Sequence, residues 1–332
     1  MNADFTKQFV EEIVKETQAD FEARRLMRRP LELVWRLNMN FLTGNQYTSI
    51  TPRGDIEDYG RQYYWQQREV FNHIAPIVET RIAKLSRVRS GVSVRPKTSD
   101  ESDIAAAKFA TAILASITAE NNLTKLLATA NGWSETCGTV FYKVMWDKEK
   151  GGKMECDNLT VNEGDVEITV CPPFEIYPEN LQVEEIGDQR SIIHAKVYGV
   201  DEVKRIWGED VIGGSVNVFT LERTNVAGCF GFSNTVPKIV DELRENCVVV
   251  IEKYEKPTVE FPEGRLIIVA GDKLLYYGAL PYENGEEGAR VYPFVKQNSL
   301  DTVGTFFGRR SLNVRFRCSA PTTQSKIAST NI

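Results

Sequence analysis

At 332 residues, with 42% hydrophobic and 26% charged side chains, the chain has the size of two or three domains and the composition of an ordinary globular protein. A net charge of -6 argues against a general nucleic-acid coat, although residues 1–97 carry 16 Lys and Arg against 12 Asp and Glu and so form a basic front on an acidic remainder. The acidic start MNADFTKQFVEEIV predicts no signal peptide, and the lack of an unbroken run of 18 apolar residues predicts no membrane span.

Residues 4–40 repeat apolar side chains at helical spacing (Phe5, Val10, Ile13, Val14, Phe21, Leu26, Leu31, Val34, Leu37), and Pro30 is expected to divide or kink this helix. Arg24, Arg25, Arg28 and Arg29 cluster within it; a solvated face, phosphate contact and an intersubunit ion-pair patch all fit. Residues 41–60 read as a loop. Residues 61–89 read as a second basic helix with a buried stripe through Tyr64, Val70, Phe71, Ile74, Ile77, Val78, Ile82 and Leu85, and with His73 as a packing residue. Its aromatic and basic mixture also suits single-strand stacking. An alanine-rich helix opens at Asp100 to Asp103, breaks near Glu120-Asn121-Asn122, and stops at Gly132 and Gly138.

Strands follow at Thr139–Trp146, Asp165–Val170 and Ser191–Val197, the second separated from the third by the rigid turn CPPFEIYP. A short helix spans Gly199–Gly208. Residues 209–245 carry little periodicity. Cys247–Tyr254 is a strong strand, and Leu266–Val269 with Leu274–Tyr277 predicts a hairpin closed by Ala270-Gly271-Asp272-Lys273. The fold class is α+β.

No sequence motif points to catalysis. There is no P-loop, GxGxxG, GxSxG or HExxH, and no CxxC among the six cysteines. The two histidines, His73 and His194, have no ligand-type companions in sequence, so neither a zinc site nor a thiol active site is expected. Scattered cysteines fit reduced, mostly buried thiols. The expectation is no enzyme, no cofactor, no metal and no catalytic residue.

Five segments in order carry a resemblance: LNMNFLTGNQY, NHIAPIVETRIAKLSRVRSGVSVRP, TANGWSETCGTVFYKVMW, GDVEITVCPPFEIYPEN and VYPFVKQNSLDTVGTFFGR. Together they resemble the portal (head-to-tail connector) proteins of tailed bacteriophages. The resemblance implies a ring subunit, twelve copies in the complete family form, at the capsid vertex through which double-stranded DNA is packaged and ejected. It implies contacts with major capsid and scaffolding proteins, the terminase large subunit and head-tail adaptor or tail proteins, duplex DNA held without sequence specificity, and no membrane. It places the chain in the virion, and in the host cytoplasm during assembly. The alternative is another phage head structural or adaptor protein without a DNA tunnel role.

By this resemblance, residues 1–60 are an N-terminal helical arm and loop, 61–208 an α+β wing-like domain, 209–247 a variable insertion or linker, and 248–309 a strand-rich approach to stem and clip. The tail 310–332 departs from the family pattern, which would continue into a long helix and the C-terminal half. A truncated, frameshifted or split gene product is the expectation. Arg24, Arg25, Arg28 and Arg29 are the candidate assembly or phosphate-contact residues.

Overall fold

The computed structural model describes residues 7–51, 56–58, 70–87, 91–156, 159–221, 243–284 and 289–309. It is a mixed α+β fold, with helices gathered in the N-terminal part and strands dominating the C-terminal part.

Helix α1 (Lys7–Leu42) runs unbroken for 36 residues. Pro30 removes the N–H that would bond the Leu26 carbonyl, but Pro30 and Leu26 both face solvent. Water can serve that carbonyl, so the helix continues where a division was expected. Its buried side chains Val14, Thr17, Phe21, Arg24, Arg28, Glu32, Trp35 and Asn38 recur every three or four residues and form one stripe. The sequence expected 41–60 to be a loop; it contains the short hairpin β1 (Thr48–Ile50) and β2 (Ile56–Asp58).

Of the basic helix expected over 61–89, residues 61–69, 88 and 89 lie outside the described residues, and 70–73 are not helical. Helix α2 spans Ile74–Leu85 and buries only Val78, while Phe71 lies ahead of it at 73% exposure. His73 is the exposed residue preceding the helix, not a packing residue within it. Tyr64 lies outside the described residues. Helices α3 (Glu101–Glu120) and α4 (Leu123–Cys137) meet at Asn121-Asn122, where Asn122 takes a left-handed conformation. Gly132 lies inside α4, and Gly138, with φ 97°, ends it. Helix α3 buries only Ala107, and by length and composition alone it is long and apolar enough to cross a membrane.

The strands are β3 (Thr139–Asp147), β4 (Lys153–Cys156), β5 (Leu159–Asn162), β6 (Asp165–Cys171), β7 (Ile176–Pro178) and β8 (Ser191–Gly199). After helix α5 (Val200–Trp207) come β9 (Gly214–Asn217), β10 (Leu243–Glu255), β11 (Arg265–Ala270), β12 (Lys273–Gly278), β13 (Tyr282–Asn284), β14 (Ala289–Val291) and β15 (Phe294–Asn298). The expected hairpin is β11–β12, with Ala270 opposite Lys273 across Gly271-Asp272.

The main sheet has the order β12-β11-β10-β8-β7, with β9 also pairing β10; a smaller sheet has the order β15-β3-β6. Every pairing is antiparallel. Both sheets combine strands from 61–208 with strands from 248–309. Strand β8 pairs β10 along nine residues, and β3 pairs β15. Strand β9 adds part of the expected linker to the same sheet; residues 222–242 lie outside the described residues.

Alternation along β8 and β10 sends side chains to two different layers. Ile193, Ala195, Val197 and Ile251 pack with Phe21 of α1 on one face, and Ile267 and Val269 pack with Ile13 and Val14. Ile192, Val250, Tyr254, Leu266 and Ile268 face the other way and pack with Phe141, Cys171 and Phe294 of the smaller sheet. The segment after β15 closes this second layer. Phe306 stacks on Phe141 at 5.7 Å, and Phe307 meets Trp35 edge-on at 5.1 Å. Residues 310–332 lie outside the described residues.

Candidate functional site

The four arginines divide by helix face. Arg24 donates to the Tyr177 and Ser191 carbonyls at 3.3 and 3.2 Å and to the Ser191 hydroxyl at 2.6 Å, and pairs with Asp20 at 2.8 Å. Arg28 donates to the carbonyls of Pro173 and Phe174, each at 2.7 Å, and of Ile176, and pairs with Glu32 at 2.5 Å. Both are buried, so a solvated face is excluded for them, and these internal partners occupy their donors. Arg25 pairs with Glu22 at 2.8 Å, and Arg29 is exposed. Of the four candidate assembly or phosphate-contact residues, only Arg25 and Arg29 keep access to an outside partner.

A second buried polar group was not anticipated. Lys143 shares its face of β3 with Phe141, whose neighbour across the pairing is Cys171 at the end of β6. On the main sheet His194 of β8 stands directly opposite Glu252 of β10. Stacking the two sheets brings these side chains together between them. One oxygen of Glu252 lies 2.5 Å from Lys143 Nζ, 3.1 Å from His194 Nδ1 and 2.8 Å from the Tyr254 hydroxyl, which donates to it. The other ring nitrogen, Nε2, lies 3.8 Å from Cys171 Sγ and 3.5 Å from a Glu175 oxygen.

Burial alone would push the Glu252 carboxyl up, but the Lys143 and His194 charges reverse this and hold it far below the usual carboxylate range. Burial and Lys143 push the His194 imidazole down; the Glu252 carboxylate and Cys171 outweigh them and raise it. Burial, then Glu252, raises the Tyr254 phenol, so Tyr254 remains a donor.

Cys171, His194 and Glu252 are aligned like a thiol nucleophile, its base and an orienting carboxylate. Cys171 is almost fully buried, however, and a cleft of ≈ 550 Å³ lies on the opposite face of the main sheet, lined by Asp20, Arg24, Lys253 and Glu255 among others. Several of the cleft's charges are paired: Lys253 sits 3.0 Å from both Asp20 and Glu255, and Arg265 pairs with Glu255. The geometry supports a buried polar clamp between sheets better than thiol catalysis.

His194 thus has the companions that its sequence neighbourhood lacks. The available sequence signal was two opposite charges, Lys143 in TVFYKVMW and Glu252 in VVVIEKY, at inward positions of otherwise apolar strands. Cys171, Glu175 and His194 offer three ligand atoms within 4.8 Å of one another. No protein-family model matches the chain, and a search of curated proteins finds no match.

Proposed function

We propose that the chain is a subunit of a phage portal, a ring at the capsid vertex through which double-stranded DNA passes. The observation that carries this reading is the ordered set of five sequence segments from LNMNFLTGNQY to VYPFVKQNSLDTVGTFFGR. Its role is structural: it binds copies of itself, capsid and scaffolding proteins, terminase and neck or tail proteins, and holds DNA through weak, distributed charge without reading bases.

Exposed apolar surface supports an assembling subunit. Phe109 is 70% exposed, and Ile113 on α3 and Ile77 and Leu85 on α2 are also open. Large apolar side chains clustered on helices with little burial of their own mark surfaces that another chain covers. Neighbouring copies in a ring supply that cover.

Electron microscopy of the purified chain, with its mass measured over a range of concentrations, tests the proposal. Rings with a central channel wide enough for duplex DNA are expected. A monomer at every concentration overturns it; rings without such a channel favour an adaptor-like head protein instead.

A further inference from the structure

We propose that Cys171, Glu175 and His194 form a binding site for one divalent transition-metal ion of the zinc type. The three donors are a thiol sulfur, a carboxylate oxygen and an imidazole nitrogen, a set that suits a borderline-soft cation. Tetrahedral zinc with ordinary bond lengths places such atoms roughly 3.4–3.6 Å apart. Here Nε2 lies 3.8 Å from Sγ and 3.5 Å from the Glu175 oxygen, and all three atoms lie within 4.8 Å of one another. Shifts of a few tenths of an ångström bring these two spacings to that geometry, and rotation of the Glu175 side chain closes the third, which lies within 4.8 Å, by up to about 1.2 Å.

The far side of the imidazole provides an independent observation. A metal-bound histidine ordinarily gives its other ring nitrogen to a carboxylate, which sets the tautomer and the ring plane. His194 Nδ1 lies 3.1 Å from Glu252, and that carboxylate is itself held by Lys143 at 2.5 Å and Tyr254 at 2.8 Å. Lys143 stands 3.3 Å from Nδ1, away from Nε2, and an ion that binds there displaces the protons on Nε2 and on the Cys171 thiol into solvent. Charge also balances: Lys143 neutralises Glu252, and a Cys171 thiolate with the Glu175 carboxylate neutralises a divalent cation.

The backbone holds the donors in place without the metal. Glu175 sits in the CPPFE turn, its N–H bonded to the Pro172 carbonyl at 3.0 Å, and its carbonyl accepts from the N–H of Ala195, next to His194, at 2.8 Å. Of the three side chains, Glu175 has the most solvent contact, at 16% exposure against 3% for His194. Glu175 is therefore the ligand nearest to solvent. The site is independent of ring formation and holds equally for a monomer.

The test uses the full chain, stripped with a chelator and titrated separately with Zn²⁺ and Co²⁺. About one equivalent is expected to bind, with a thiolate-to-cobalt charge-transfer band in the near ultraviolet. X-ray absorption on the zinc-loaded chain is expected to show one sulfur at about 2.3 Å and nitrogen or oxygen at about 2.0–2.2 Å. Cys171→Ser, checked for folding by circular dichroism, is expected to lose the band, and Glu175→Gln to weaken binding at least tenfold. No stoichiometric binding by the folded chain, or a zinc shell without sulfur, overturns the proposal; the absorption measurement decides even if Cys171→Ser fails to fold.

Discussion

The guanidinium carbon of Arg28 lies 3.5 Å from the centre of the Tyr177 ring. The arginine is thus stacked on an aromatic face while its edge donates to three main-chain carbonyls and to Glu32. It joins the middle of α1 to the turn that carries Glu175 and leads into β7. Removing it leaves a buried carboxylate and several carbonyls without their partner. Arg28→Ala is expected to cost about 3–5 kcal/mol in urea unfolding, the range for breaking a buried pair from one side, and Arg29→Ala no more than about 0.5 kcal/mol. Equal effects at the two positions would contradict the burial difference.

Acid should loosen the contact between α1 and the main sheet. Burial raises the Asp20 carboxyl, but bonding to Arg24 and Lys253 more than offsets this and leaves it below its ordinary value. A depressed carboxylate stabilises the fold fully above its unfolded pKa of about 3.9 and loses that contribution as pH falls through the folded value. Urea midpoints measured from neutral pH downward should therefore drop below about pH 5. Asp20→Asn should start lower at neutral pH and show a shallower decline; an unchanged acid slope would remove Asp20 from the account.

Gly264 is a backbone requirement in the loop before β11. Its φ is +69°, and an added Cβ would stand 2.6 Å from the Glu255 carbonyl oxygen and 2.7 Å from a Leu280 methyl. The left-handed conformation alone costs a side chain about 1–3 kcal/mol, and the backbone contact adds to that. Thermal melting of Gly264→Ala should fall well below the parent. Gly208, also at positive φ (+76°) but with no atom near its Cβ, should lose less when changed to alanine.

Phe109 separates assembly from folding. Because it is 70% exposed, Phe109→Glu should leave the isolated subunit within about 0.5 kcal/mol of the parent. In the ring proposal it should also prevent assembly, read as a monomeric mass under conditions where the parent forms rings. Rings that persist with Glu at this position would show that α3 is not the covered surface.

Local pattern reached far along this chain. Alternation in DVEITV, the β-branched run CVVVIEKY and the Gly-Asp turn of the β11–β12 hairpin each specify a strand from neighbouring residues, and Gly138 and Gly208 mark helix ends through their positive φ. The same reasoning carried the helix over residues 70–73, which lie ahead of α2 and are not helical. The apolar residues have helical spacing, but Phe71 ahead of α2 and Leu85 at its end remain exposed.

The sequence by itself determined the α+β class, the six longest strands and the hairpin, because dihedral preference and side-chain period are local properties. Only tertiary structure decided which charges are buried. Arg24 and Arg28 share helical sequence with Arg25 and Arg29, yet a turn of about 100° per residue sends two of them into the core stripe and two away from it. Lys143, Cys171, Glu175, His194 and Glu252 become neighbours because two sheets stack face to face. That contact joins residues as far as 109 positions apart, and no spacing along the chain encodes it.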